Sequence, residues 1–126
     1  MTKKRILLSA VILAAMAAAA FGADVTGTWT ASFDTQVGAQ KYTYTFKVAG
    51  NKLTGKAKVE SEAINGESEI TDGTVNGDDI SFVENITFMD MPIKIVYKGK
   101  ISGDEIKFTR TILDMINEEL VAKRVK

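Results

Sequence analysis

Lys41-Tyr42-Thr43-Tyr44-Thr45-Phe46-Lys47-Val48-Ala49-Gly50-Asn51-Lys52-Leu53-Thr54-Gly55-Lys56-Ala57-Lys58-Val59 decides the fold. Tyr42, Tyr44, Phe46 and Val48 fall on one parity, and Lys41, Thr43, Thr45 and Lys47 on the other. Beyond Gly50-Asn51, Leu53, Gly55, Ala57 and Val59 alternate in the same way with Lys52, Lys56 and Lys58. A period of two marks a strand with one buried face, and a Gly-Asn pair between two such runs marks a tight hairpin.

The same rhythm extends from Val25 to Lys126, punctuated by Val37-Gly38, Asn65-Gly66, Asn76-Gly77-Asp78 and Ser102-Gly103-Asp104. It predicts eight strands, near residues 25–34, 40–49, 51–60, 67–75, 79–88, 92–101, 104–113 and 119–125. The only proline, Pro92, falls at a strand start after a Met89-Asp90-Met91 turn, where its missing N–H is harmless. In the fourth strand Ile70 and Val75 share a face only if Asp72-Gly73 forms a bulge. Short connections throughout favour an all-β, eight-stranded antiparallel up-and-down meander closed into a barrel. A Greek-key sandwich would need a long connection, and closure removes the unpaired edges.

The first residues read differently. Lys3, Lys4 and Arg5 precede an apolar run from Ile6 to Phe21, which has the form of a secretory signal peptide. Cleavage is expected after Gly22, with Ala20 or Ala23 as alternatives. The run is short for a membrane span, and no Cys offers a lipid attachment site. The expectation is therefore a leader over 1–22 and one domain over 23–126, exported to the periplasm or secreted.

Export changes the charge balance. The chain carries 16 basic and 16 acidic residues, and three of the basic ones lie in the leader, so the domain is mildly acidic. That balance argues against nucleic acid and against an anionic membrane after leader cleavage, since both demand clustered Lys and Arg. With no Cys there is no disulfide, so one hydrophobic core must hold the domain. With no Cys and no His, Ser-His and Cys-His nucleophilic triads and histidine-ligated zinc are excluded. Asp72, Asp78 and Asp79 do not match a calcium-loop spacing. No cofactor and no metal are expected.

Gly27-Thr28-Trp29 opens the first strand, and Arg124, within Ala122-Lys123-Arg124-Val125, sits in the last. This pair resembles the Gly-X-Trp motif of lipocalins and their calycin relatives, together with the Arg of their last strand. The resemblance implies an eight-stranded barrel closed at one end by Trp29 stacked against Arg124, with Gly27 completing the motif. The chain lacks the disulfides, long first loop and terminal helix of typical lipocalins, so it is most similar to a compact bacterial calycin-like domain.

The parity that buries Trp29 also buries Ala31 and Phe33. On the fifth, sixth and seventh strands the inward positions run Ile80, Phe82, Glu84, Ile86, Phe88; Ile93, Ile95, Tyr97, Gly99, Ile101; and Ile106, Phe108, Arg110, Ile112. Glu84 and Arg110 interrupt apolar faces. Pairing Phe88 with Ile93 sets Glu84 opposite Tyr97, and pairing Ile101 with Ile106 sets Tyr97 opposite Arg110, giving a polar row inside the barrel. Buried charges are costly unless paired, so the row either fixes strand register or lines a cavity.

The expected function is a monomeric barrel that binds a small, largely apolar or aromatic ligand through Tyr44, Glu84, Tyr97 and Arg110, with Arg110 anchoring an acidic or carbonyl group. An apolar pocket with a few convergent polar groups is the usual form of such a site. Two alternatives stay open. One is a small hydrolase or lyase acting on a glycoside or ester through Glu84, for which a second carboxylate is missing; the other is a structural or interaction module with a filled core. Leu113, Met115, Ile116 and Leu120 suggest a helical turn covering one barrel end. Lys94, Lys98 and Lys100 form an outward row that Lys107 extends, in keeping with a solvated surface.

Overall fold

The computed structural model describes residues 24–126; the leader expected over 1–22 lies outside them. Eight strands follow one another: β1 (Gly27–Thr35), β2 (Gly38–Ala49), β3 (Lys52–Glu60), β4 (Asn65–Asn76), β5 (Asp79–Phe88), β6 (Met91–Ser102), β7 (Glu105–Ile112) and β8 (Ile116–Arg124). Each pairs antiparallel with the next, and β8 returns to β1, so the sheet closes into a barrel. The inward parity is that of the opening hairpin. Tyr42, Tyr44 and Phe46 on β2 and Leu53, Ala57 and Val59 on β3 are buried, and the lysines of the hairpin are exposed.

The core is aromatic through its middle. Tyr42, Tyr44 and Phe46 stack along β2 at 5.3 and 5.7 Å between centroids, and Phe82 stacks on Tyr97 at 4.4 Å. Phe108 packs edge-on against both of these rings at 5.6 Å. Gly99 lies directly across from Phe108, where a Cβ would collide with its ring. A Gly in mid-strand thus makes room for an interior aromatic.

The bulge at Asp72-Gly73 forms: the β4–β5 register shifts between Thr71 and Thr74, Asp72 takes φ 53°, and Ile70 and Val75 are both buried. Two stretches of the barrel are less tightly closed. β1 and β8 pair only at Trp29–Arg124 and Thr30–Lys123. β4 and β5 pair only from Ile70–Glu84 to Asn76–Asp79, so Asn65–Glu69 and Asn85–Phe88 diverge.

Four details correct the sequence reading. The β5–β6 turn has two residues, Met89 and Asp90, and Phe88 faces Met91 instead of Ile93. Tyr97 therefore lies opposite Phe82, and Glu84 opposite Ile95, while Tyr97 faces Arg110 as expected. The shorter turn forms because Met89 and Asp90 both adopt left-handed φ of 52° and 64°, the geometry of a type I′ hairpin without its usual Gly. No helical turn covers Leu113–Leu120: β8 begins at Ile116, paired with Ile112, because Ile116, Glu118, Leu120 and Ala122 continue a period of two. Asn65-Gly66 begin β4, and the turn before them is held by Asn65, whose side chain accepts from Ser61 N and donates to Ser61 O.

Candidate functional site

The barrel has two unlike ends, and each centres on an Arg stacked on aromatic rings. At one end Trp29 is fully buried and donates from Nε1 to Val25 O at 2.9 Å. Arg124, its β8 neighbour, lies 4.3 Å above the ring. Arg124 donates to Thr26 O, to Asp24 O and to Asp104 Oδ1, each at 3.0 Å. Gly27 holds φ 135°, and a Cβ there would come within 3.5 Å of the guanidinium. Two of the three acceptors are main-chain carbonyls, so this Arg ties the chain before β1 to the last strand.

Arg110 is built into the barrel interior from β7. It is 2 % exposed and lies 4.7 Å from the Phe33 ring and 5.1 Å from the Tyr42 ring. Its acceptors are side chains: Nε donates to Glu118 Oε1 at 2.7 Å, Nη1 to Tyr97 Oη at 3.0 Å and Nη2 to Gln40 Oε1 at 3.2 Å. Tyr97 donates its only proton to Glu84 Oε1 at 2.8 Å, so the Tyr44 hydroxyl, 3.0 Å away, must be the donor in that pair. Tyr44, Glu84, Tyr97 and Arg110 thus form one hydrogen-bonded network although Glu84 and Tyr97 are diagonal, not opposite. Long side chains reach diagonal neighbours on a sheet face.

Burial sets the protonation states. It pushes the Glu84 carboxyl above the usual carboxylate range, against the opposing pull of the Tyr97 and Tyr42 hydroxyls and of Arg110. It also raises the phenols of Tyr44 and Tyr97 well above their ordinary value, so both are neutral donors. Arg110 Nη1 is 3.9 Å from Glu84 Oε1 and Nε is 2.7 Å from Glu118, so one cation serves two carboxylates.

Above this network the barrel opens into a cavity of about 190 Å³ at the end bearing the β1–β2, β3–β4, β5–β6 and β7–β8 turns. Ile64, Ile86, Phe88, Ile93, Ile95 and Ile112 form apolar walls, Arg110, Gln40 and Glu118 are polar groups at its base, and Thr35 and Gln36 add polar groups from the β1–β2 turn. Of the four residues read as a ligand site, Arg110 alone lines this cavity. Tyr44 and Tyr97 are fully buried in the aromatic packing beneath it, and Glu84 lines an adjoining recess between β4 and β5.

Gln40 and Glu118 escaped the sequence reading. Gln40 is in phase with Tyr42 and Tyr44, two residues before them, but a polar residue at a strand start reads as the end of the buried run. Glu118 is in phase with Leu120 and Ala122, and treating that segment as a helical turn hid it. The signal in both cases was parity carried to the strand ends.

Among the described residues no cluster of His, Cys, Asp and Glu suits a metal ion. No protein-family model, no curated protein and no solved structure matches the chain.

Proposed function

We propose that this domain is an exported, monomeric binding barrel of calycin-like type that holds a small, largely apolar or aromatic molecule in its open-end cavity, with Arg110 anchoring a carbonyl or acidic group. The observation that carries the reading is the meeting of apolar walls with a stacked guanidinium whose acceptors are all side chains. Such a guanidinium has five N–H groups, and protein acceptors take one on each nitrogen, so a ligand oxygen has donors available on both terminal nitrogens. A displaceable Glu118 lets an acidic ligand exchange one carboxylate for another without leaving the cation unpaired.

Size limits the ligand. A dry apolar cavity of about 150 Å³ accepts benzene, so 190 Å³ suits one aromatic ring or a short branched chain. The rim supports entry from this side: Val37, Met89, Met91, Leu113 and Met115 are large apolar residues left 44 to 82 % exposed around the mouth. Contiguous exposed apolar surface on a soluble domain commonly marks a binding site. Trp29, Gly27 and Arg124 serve closure in this reading, and the polar network beneath Arg110 fixes its position.

A filled structural barrel is the second reading, favoured by the aromatic packing through the middle of the core. Native mass spectrometry of the full chain, purified from its own cell envelope, separates the two. The binding reading predicts a co-purifying adduct with the mass of a single-ring or short-chain molecule, lost in Arg110→Met. Unadorned protein, together with no thermal shift from any of benzaldehyde, benzoate and short branched acids, would favour the filled barrel.

A further inference from the structure

Outside the mouth, the divergence of β4 from β5 opens a recess of about 280 Å³. Among the described residues, two buried side-chain oxygens lack any hydrogen-bond partner: Glu84 Oε2 and Ser68 Oγ. Both residues line this same recess. Their closeness follows from the sheet: Ser68 is two residues from Ile70 on β4, and Ile70 is the direct partner of Glu84 on β5. Ser68 and Glu84 thus share the inward parity of adjacent strands at the point where pairing stops.

The charge around Glu84 is uneven. Arg110 is the only basic side chain in its network, and its closest carboxylate is Glu118 at 2.7 Å, with Glu84 at 3.9 Å. Glu84 Oε1 is held by Tyr97, whereas Oε2 has a free acceptor site and an undercompensated charge. A buried carboxylate in this condition is stabilised by a cationic donor more than by a neutral one. Among the described residues no group of three or more His, Cys, Asp and Glu gathers here, so the recess lacks the carboxylate set of a calcium site. Ala57, Val59 and Ile86 form apolar walls, and Asn65 and Glu67 lie at the outer edge.

We propose that the β4–β5 recess binds a small primary alkylammonium ion, whose N–H groups donate to Glu84 Oε2 and Ser68 Oγ while its alkyl chain lies against Ala57, Val59 and Ile86. The recess shares Ile64 and Ile86 with the open-end cavity but has its own polar groups, and it stands whether or not that cavity holds a ligand. The ammonium group offers three donors and the compensating charge at once. An alcohol of equal length offers one donor and no charge.

The test is a backbone-amide NMR titration of the full chain with n-butylammonium chloride, beside n-butanol and potassium chloride at matched concentrations. The proposal predicts saturable shifts at Ser68 and Asn85 with n-butylammonium, affinity for n-butanol at least tenfold weaker, and no saturation with potassium. Ser68→Ala, which removes one neutral hydrogen bond and should fold normally, is expected to weaken binding by about fivefold. Glu84→Gln, which removes the charge, is expected to weaken it by about tenfold or more. Equal binding of n-butanol, saturation by potassium, unchanged affinity in Ser68→Ala, or no saturable shift with n-butylammonium would each overturn it.

Discussion

The two ends of the barrel use the same pair of groups, an Arg and an aromatic ring, for opposite ends. Arg124 on Trp29 is fixed largely by main-chain carbonyls of the segment before β1, which cannot swing aside as a side chain can. Arg110 on Phe33 and Tyr42 is fixed by Glu118, Gln40 and Tyr97, whose side chains can rearrange around a newcomer. The turns differ in the same sense. At the sealed end the left-handed positions are taken by Gly50, Gly77 and Gly103, beside polar residues. At the open end Gly38 serves the β1–β2 turn, but Met89, Asp90, Leu113 and Asp114 hold left-handed φ without Gly, and exposed apolar side chains surround them. Strain of this kind persists where the surroundings over-determine it, and it concentrates at binding sites. The difference teaches that an Arg–aromatic pair is structural or functional according to what else holds the Arg.

The largest expected effect is at the sealed end. Trp29→Ala removes a fully buried ring and the surface on which Arg124 stacks, and should cost toward the upper end of about 3–5 kcal/mol in denaturant unfolding. Amide positions at Leu113 and Val37 should stay in place in the folded fraction. If the mouth is rearranged as well, the two ends are coupled and the division of roles is lost.

Arg110→Met comes next. It leaves Glu84 and Glu118 without their cation, and breaking a buried pair from one side costs about 3 kcal/mol. Adding Glu118→Gln should restore a large part of that loss, measured by the same unfolding curves, without restoring ligand binding. Recovery of binding in the double variant would remove Arg110 from the recognition.

The ends should also answer pH with opposite signs. Glu84 has a folded pKa above its ordinary value, chiefly from burial, so the folded protein holds that proton more tightly than the unfolded chain. Its contribution to stability is complete below the ordinary carboxylate range and is lost as pH rises through the folded value. Asp104, held low by Lys126 and Arg124, behaves in reverse: its contribution is present above the ordinary range and lost as pH falls through the depressed value. Unfolding curves from pH 3 to 8 should show Glu84→Gln gaining on the parent as pH rises, and Asp104→Asn losing least against it at the acid end. A Glu84→Gln difference that is flat with pH would mean that the carboxyl is not perturbed.

The smallest effect concerns the turns. Replacing Met89-Asp90 by Asn-Gly, the pair that suits type I′ geometry, should stabilise the protein by about 0.5–1 kcal/mol. Exchanging Asn51 or Asp78 at the sealed end should give no such gain, because Gly50 and Gly77 already hold the left-handed positions there.

Much of this fold was legible in the sequence because a period of two survives in every strand. The barrel, the Asp72-Gly73 bulge and the inward parity of Glu84, Tyr97 and Arg110 all follow from it. Register was less legible: Met89-Asp90 and Met89-Asp90-Met91 are both reasonable turns in sequence, and only backbone geometry chooses between them. The cavity was the least legible part. Whether Tyr44 and Tyr97 face a void or one another depends on ring packing across four strands, which no single strand encodes.

The most direct measurement of the central claim is a backbone-amide NMR titration of the full chain with benzaldehyde. A ligand seated in the open-end cavity predicts saturable shifts confined to Val37, Gln40, Ile64, Ile93, Leu113 and Glu118, abolished in Arg110→Met/Glu118→Gln and retained in the folded fraction of Trp29→Ala. Shifts centred on Thr26, Trp29 and Arg124, or no saturable shift at all, would contradict the assignment of binding to the open end.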